Sequence, residues 1–200
     1  MFARFPFVVL LLLLTYPSHA QFSYFAGPNV DWVRAPTLRG TVRPSVGVQF
    51  GFQYTAIDST RRFSPTVGGM ISRQGYRQAL AGQTHQVHFF YFTGNIGISY
   101  RAHSFIRIHT AIELSRLVAA RYQFEDDDTI GVIDTYRKFR PAARLEVVLW
   151  NHKMISPYLS FAHDLRPALR YPRIDATGNF NGTLTDLWHR TLSAGVHINL

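Results

Sequence analysis

Apolar residues recur at every second position along much of this 200-residue chain. This period of two is typical of a β-strand with one apolar and one polar face, and long runs at helical spacing are missing. The clearest example is the segment 45–54, in which Val46, Val48, Phe50, Phe52 and Tyr54 alternate with Ser45, Gly47, Gln49, Gly51 and Gln53. The pattern predicts a strand-rich chain.

Eight segments carry this alternation: 22–30, 45–54, 63–73, 87–101, 106–115, 140–150, 155–163 and 192–200. Short connections at 58–60, 102–104 and 151–153 alternate strictly with long ones at 31–44, 74–86, 125–138 and 164–187. An outer-membrane barrel with both termini in the periplasm has short periplasmic turns and long external loops. We therefore predict an all-β fold, an eight-stranded antiparallel up-and-down transmembrane β-barrel.

The composition of the polar face indicates which side of the predicted barrel meets lipid. Glycine, serine, glutamine, histidine and isolated charges fill it, with few of the Lys and Glu residues that a water-facing surface carries. Small and amide side chains suit a crowded lumen, whereas Val, Ile, Leu and Phe suit contact with lipid chains. The apolar residues are thus expected outside, around a lumen that eight strands leave just filled by side chains.

Four charged residues share the inward parity of the fifth and sixth predicted strands. They are Arg107, Glu113, Arg144 and Glu146. We expect them to form a buried ion-pair network that plugs the lumen.

The first 20 residues have the features of an export signal. Arg4 is followed by an apolar run at 7–14 and by the small-x-small pattern Ser18-His19-Ala20, which predicts cleavage before Gln21. The run is shorter than the roughly 18–20 apolar residues of a membrane-spanning helix. We expect a signal peptide at 1–20, a barrel domain at 21–200 in the outer membrane of a Gram-negative cell, and both termini in the periplasm. The chain has no cysteine, so no disulfide contributes.

The net charge of +9 suits anionic partners, and export favours lipopolysaccharide over nucleic acid. Arg166, Arg170 and Arg173 in the fourth long connection could clamp lipopolysaccharide phosphates, or could simply complement an anionic leaflet. The acidic run Glu125, Asp126, Asp127 and Asp128 could bind a divalent cation, although a solvated acidic loop is the simpler interpretation. No other metal site and no cofactor are expected.

Aromatic residues near the predicted strand ends could form interfacial girdles. Tyr54, Tyr100 and Trp150 fall toward the periplasm, and Trp32, Tyr76, Tyr122 and Trp188 toward the outside. Trp150 has inward parity unless its strand bulges or ends there.

Four stretches resemble the PorT-like family of outer-membrane β-barrels, within the broader class of OmpA/OmpX-type barrels. They are YFAGPNV at 24–30, MISRQGY at 70–76, IGISYR at 96–101 and the terminal GVHINL at 195–200. The resemblance implies an outer-membrane barrel and, for the family's namesake, a part in protein secretion. Leu200 replaces the aromatic end of many outer-membrane proteins but keeps outward parity, as expected for a substrate of the barrel-assembly machinery.

These patterns favour a structural, surface-interaction or secretion-accessory barrel over an enzyme. The alternative is a lipid A-modifying enzyme, a deacylase or acyltransferase, because His189 lies near Asp186 and Ser193, the residue types of a hydrolytic triad. The expected partners are outer-membrane lipid and lipopolysaccharide, the assembly machinery and secretion-system proteins, without nucleic acid. We expect a monomer.

Overall fold

The computed structural model describes residues 19–34, 41–57, 62–80, 83–123, 129–131, 138–150, 153–167, 169–174 and 180–200. They form ten strands: β1 (His19–Arg34), β2 (Thr41–Ile57), β3 (Phe63–Leu80), β4 (Gln83–His103), β5 (Ile106–Gln123), β6 (Thr129–Gly131), β7 (Phe139–Leu149), β8 (Ile155–Asp164), β9 (Leu169–Ile174) and β10 (Phe180–Asn199). All pairings between them are antiparallel.

Eight of these strands close into a barrel, in the order β1-β2-β3-β4-β5-β7-β8-β10, and β1 pairs with β10 to complete it. The short β6 pairs with the end of β5, and β9 pairs with the start of β10. Following the register once around the barrel from Arg190 leads back to β10 at Leu200, ten residues further along. The strands are therefore staggered and tilted, as closure of a small barrel requires. This confirms the predicted fold class.

The barrel has two different ends. The start of β1 and Leu200 lie at the same end of the barrel as the ends of β2, β4 and β7 and the starts of β3, β5 and β8; we call this the terminal end. The opposite end, from which β6 and β9 branch, is called the loop end.

The strands have an apolar outer face and a polar inner face. Along β2, Val46, Val48 and Phe50 are about 60% exposed or more, whereas Gln49 and Gln53 are buried. A soluble barrel would show the opposite arrangement, because water would drive the apolar residues inside. The inside-out direction predicted from the polar set is therefore present.

Three of the predicted long connections contain long stretches of strand. In the 31–44 segment, residues 31–34 belong to β1 and 41–44 to β2, and in the 74–86 segment, residues 74–80 belong to β3 and 83–86 to β4. In the 164–187 segment, residues 169–174 form β9 and residues 180–187 begin β10. The prediction of long loops was wrong for these residues. Strands pair through their backbone N–H and C=O groups, so a strand can continue where its outer face is no longer apolar. The strands thus continue beyond the apolar band.

The aromatic positions agree only in part with the predicted girdles. Tyr76 is fully buried inside the barrel, so its assignment to an outer girdle was wrong. Trp32 and Trp188 face outward near the loop end and are half-buried. Trp150 is 52% exposed because β7 ends at Leu149 and Trp150 adopts a positive φ of 50°, which frees its side chain from the inward parity. The side chain of Tyr122 lies outside the described residues.

No helix long and apolar enough to cross a membrane occurs in the described part of the chain. Within the predicted signal segment only His19 and Ala20 belong to a described element, the start of β1, so the segment itself remains a prediction.

Candidate functional site

The lumen is filled near the loop end by a layer of apolar side chains. Tyr76, Val87, Phe89 and Leu187 have no exposed surface, and the Tyr76 and Phe89 rings lie 6.1 Å apart. The layer, which we call the apolar cap, consists of Val33, Tyr76, Val87, Phe89, Tyr91, Leu117, Ala120 and Leu187. The apolar cap therefore fills part of the lumen near the loop end.

Below the apolar cap, Asp31 and His189 form a buried polar centre. The Asp31 carboxylate accepts hydrogen bonds from His189 Nδ1 at 2.9 Å, from Thr191 Oγ1 at 2.7 Å and from the Gly75 amide at 3.1 Å. Because a carboxylate can only accept, this geometry assigns a proton to Nδ1 of His189. The Phe89 ring packs edge-on against the imidazole at 5.3 Å.

Arg140 and Asp164 form an adjoining ion pair at 3.2 Å, with both side chains almost fully buried. Arg140 also donates to Gln74 Oε1 at 2.6 Å and lies 4.5 Å from the centre of the Tyr91 ring. Asp164 accepts the His189 backbone amide at 2.9 Å, so the two buried centres are linked. Sequence reasoning missed this layer because Asp31 and Asp164 fell at the edges of predicted loops.

The middle of the lumen is bridged by Arg144. Its Nη1 lies 3.2 Å from Glu113 Oε1, and its Nη2 donates to Gln49 Oε1 at 3.1 Å and to Ser160 Oγ at 3.2 Å. Arg144 and Glu113 were two of the four residues predicted to share a network, and the structure brings them together.

The other two residues of that set have different partners. Glu146 pairs with His197 at 3.2 Å, and Arg107 donates to Gln21 Oε1 at 2.7 Å, near the terminal end. Glu146 and Arg107 therefore do not join Arg144 and Glu113 in one ion-pair network. Glu146 nevertheless faces inward as predicted. His197 also has inward parity in the sequence, and this parity could have identified it as a lumen residue.

The hydrolytic combination considered from the sequence is not assembled. His189 pairs with Asp31, its Nε2 has no hydrogen-bond partner among the described residues, and Ser193 donates instead to Gln49 at 3.1 Å. The side chain of Asp186 lies outside the described residues. A nucleophile must lie within hydrogen-bond reach of its base, and Ser193 is held elsewhere. Nor do the described residues contain a group of three or more His, Cys, Asp or Glu that could hold a metal.

Cations surround His88 on the outer face near the loop end. Arg73, Arg77 and Arg121 are exposed, and with His88 they form what we call the β3–β5 cation cluster. Arg73 Nη2 lies 3.0 Å from His88 Nε2, and the Arg121 guanidinium lies 6.0 Å from the centre of the Phe90 ring. A recess of about 210 Å³ opens between Arg73, His88, Phe90, Arg121 and Gln123.

The sites predicted in the long connections are only partly described. Arg166 is exposed just after β8. Arg170 and Arg173 lie on β9, but their side chains are outside the described residues, as is the whole acidic run Glu125, Asp126, Asp127 and Asp128.

No family model and no curated protein matches this chain. Among solved structures, it is similar to Neisserial surface protein A, with 11% identity, a TM-score of 0.53, and coverage of 92% of this chain and 100% of that one. It is also similar to the attachment invasion locus protein Ail of Yersinia pestis, in its complex with the heparin analogue sucrose octasulfate. That match has 10% identity, a TM-score of 0.50, and coverage of 90% of this chain and 99% of that one. The shared feature is the fold, that of the small outer-membrane β-barrels.

Proposed function

We propose that this protein is an integral outer-membrane β-barrel with a closed lumen, acting as a structural or surface-interaction protein rather than as a channel. The observation that carries the proposal is the combination of an exposed apolar outer face with buried side chains that fill the lumen at several levels. In hydrocarbon every backbone amide needs an internal partner, which a closed barrel supplies. The apolar cap and the Arg144–Glu113 pair then fill the interior.

The loop end faces the exterior in this proposal, and both termini lie in the periplasm. Short turns at the terminal end and exposed arginines at the loop end support this orientation, since the anionic surface of the outer leaflet would attract them. The expected partners are outer-membrane lipid and lipopolysaccharide.

Single-channel recording in planar lipid bilayers tests the closed lumen. We expect no large, stable conductance from the wild-type protein, because packed side chains leave no continuous water path. A variant with Tyr76→Ala, Phe89→Ala, Arg140→Ala and Arg144→Ala, used only if circular dichroism shows that it keeps its β-structure, serves as the opened barrel and should conduct. A large, stable conductance from the wild type, similar to that of the opened variant, would overturn the proposal.

A secretion-accessory role is a finer version of the same proposal, supported by the resemblance to PorT-like barrels. Deletion of the gene should then reduce specific proteins among those exported to the medium, and complementation should restore them. An unchanged set of exported proteins would exclude this role and leave the barrel proposal standing.

Lipid A modification is kept as the alternative function. The feature that supports it is the Asp31–His189 pair, because Nε2 of the His189 imidazole has no hydrogen-bond partner among the described residues. The pair lies under the apolar cap. Mass spectrometry of lipid A from cells with and without the gene decides it. A mass difference of an acyl chain that disappears with His189→Gln would favour the enzyme, and identical lipid A would exclude it.

A further inference from the structure

We propose that the β3–β5 cation cluster is a binding site for the phosphate group of an outer-leaflet glycolipid. Its phosphate ligands are Arg73, Arg77 and Arg121, and the lipid's acyl chains lie over the apolar face of the same strands. This inference rests on the proposed membrane location and orientation. It differs from the arginines of the fourth long connection, of which Arg166 follows β8 and Arg170 and Arg173 lie on β9.

The register of the strands brings the cations of the cluster together. His88 pairs with Arg121 on β5 and with Gly75 on β3, and Gly75 lies between Arg73 and Arg77 in sequence. Arg73 and Arg77 both point outward with Gly75, because side chains two residues apart share a face of a strand. Arg73, Arg77 and Arg121 therefore share the outer face of neighbouring strands with His88.

The cluster lacks a carboxylate to neutralise it among the described side chains. The Asp and Glu side chains that the structure describes are Asp31, Glu113, Glu146 and Asp164, and all of them are buried in the lumen. Next to the cluster, Arg77 pairs with Arg43 on β2, which adds a further exposed cation. Like charges opposite one another are unfavourable in a sheet, so a bound anion would relieve their repulsion.

The contact between Arg73 and His88 leaves Arg73 able to bind an anion. A guanidinium has five N–H donors and no acceptor, so the 3.0 Å contact with His88 Nε2 uses one donor and requires a lone pair on that nitrogen. The remaining donors of Arg73 are available for the fork-shaped, bidentate geometry that a phosphate favours.

The surface around the cluster indicates a lipid rather than a free anion. Arg73 pairs with Phe90, and the next outward-facing pair toward the terminal end is Ile71 with Phe92, which are 58% and 54% exposed. The cation cluster therefore lies directly above the apolar face that the proposed function places in hydrocarbon. A ligand with a phosphate attached to acyl chains would satisfy both surfaces at once, whereas inorganic phosphate would use only one.

The test is a binding titration on the folded protein in dodecyl maltoside micelles, read by native mass spectrometry. The probes are diphosphoryl lipid A, lipid A from which both phosphates have been removed, and inorganic phosphate. The test variant carries Arg73→Gln and Arg121→Gln. The matched control carries Arg62→Gln and Lys153→Gln, which removes two exposed charges near the terminal end.

We expect the wild type to bind diphosphoryl lipid A and the test variant to bind it at least about tenfold more weakly, because charge-assisted bidentate bonds are lost. The control should bind like the wild type, and the dephosphorylated lipid should bind more weakly than the phosphorylated one. All variants should have the same thermal unfolding transition by circular dichroism, since the substituted side chains are exposed.

Equal weakening in test and control variants would reduce the effect to general charge attraction and overturn the site. Binding of inorganic phosphate as tight as that of diphosphoryl lipid A would overturn the lipid assignment. Absence of any lipid A binding by a protein that inserts into bilayers would overturn this inference alone. Failure to insert into bilayers would contradict the proposed function.

Discussion

At the level of single residues, the buried charges of the lumen are the features most sensitive to substitution. A buried ion pair is costly to create, and removing one partner leaves the other uncompensated. We expect substitution of Arg144 to be especially destabilising, because its guanidinium contacts Glu113, Gln49 and Ser160.

We predict that Arg144→Met destabilises the barrel by roughly 3–5 kcal/mol, because the Glu113 carboxylate is left without its cation. The double variant with Glu113→Gln should recover a large part of that loss, since neither charge then remains buried. Urea unfolding in detergent micelles, followed by tryptophan fluorescence, measures both. A double variant no more stable than Arg144→Met would contradict the ion-pair explanation.

The inward parity of individual residues could be predicted from the sequence, but their partners could not. Arg144 and Glu113 were placed together because they lie on neighbouring strands with the same parity. The pairing of Asp31 with His189 joins residues near opposite ends of the chain and depends on the β1–β10 closure, whose stagger no local pattern reveals. Local alternation thus predicts which way a residue faces, and the register decides what it meets.

At the level of the strands and turns, the connection between β7 and β8 shows how one residue ends a strand. Trp150 donates its amide to the Phe105 carbonyl at 2.6 Å, and its own carbonyl accepts the Ser156 hydroxyl at 2.9 Å. These bonds hold Trp150 at its positive φ, a conformation that costs a residue with a Cβ roughly 1–2 kcal/mol.

We therefore predict that Trp150→Gly is more stable than Trp150→Ala by about 1 kcal/mol, because both lose the ring but only alanine keeps the strained Cβ. Comparing the two variants with each other removes the contribution of the aromatic ring. The midpoints of urea unfolding in the same micelles provide the measurement. Equal midpoints would show that the backbone here is relaxed.

Near the loop end the strands have a different residue pattern, which explains why these parts were predicted to be loops. Within the apolar band the outward residues are apolar, as with Ile71 and Phe92, whereas near the loop end Arg77 faces outward and Tyr76 and Phe89 face inward. The direction of amphipathicity reverses along a single strand. The alternation of apolar outward and polar inward residues stops at this reversal, so the sequence predicted that β3 would end near Arg73. For the same reason Tyr76 was predicted to belong to an outward-facing girdle, whereas it faces the lumen.

At the level of the whole molecule, this reversal divides the barrel into two regions. The region toward the terminal end is apolar outside and mostly polar inside, apart from the buried cluster of Phe25, Met70, Val148 and Tyr158. The region toward the loop end carries exposed arginines outside and the apolar cap inside, as water and headgroups favour. The boundary between them predicts the position of the outer membrane surface, and the β3–β5 cation cluster lies at that boundary.

This division makes the cost of an outward-facing charge depend on its position along the barrel. Phe50 is 59% exposed in the middle of β2, and Phe63 is 63% exposed at the first residue of β3, near the terminal end. Both are outward-facing phenylalanines of similar exposure. They differ in their distance from the end of the apolar band.

We predict that Phe50→Arg lowers the free energy of unfolding in lipid vesicles by about 2–4 kcal/mol, and Phe63→Arg by about 0–1 kcal/mol. The arginine at position 50 would sit in hydrocarbon, whereas the arginine at position 63 could reach the interfacial water. Unfolding by guanidinium in phosphatidylcholine vesicles measures both variants against the wild type. If the outer face met water instead of lipid, an exposed arginine would cost little at either position, so equal small effects would contradict a membrane-embedded barrel.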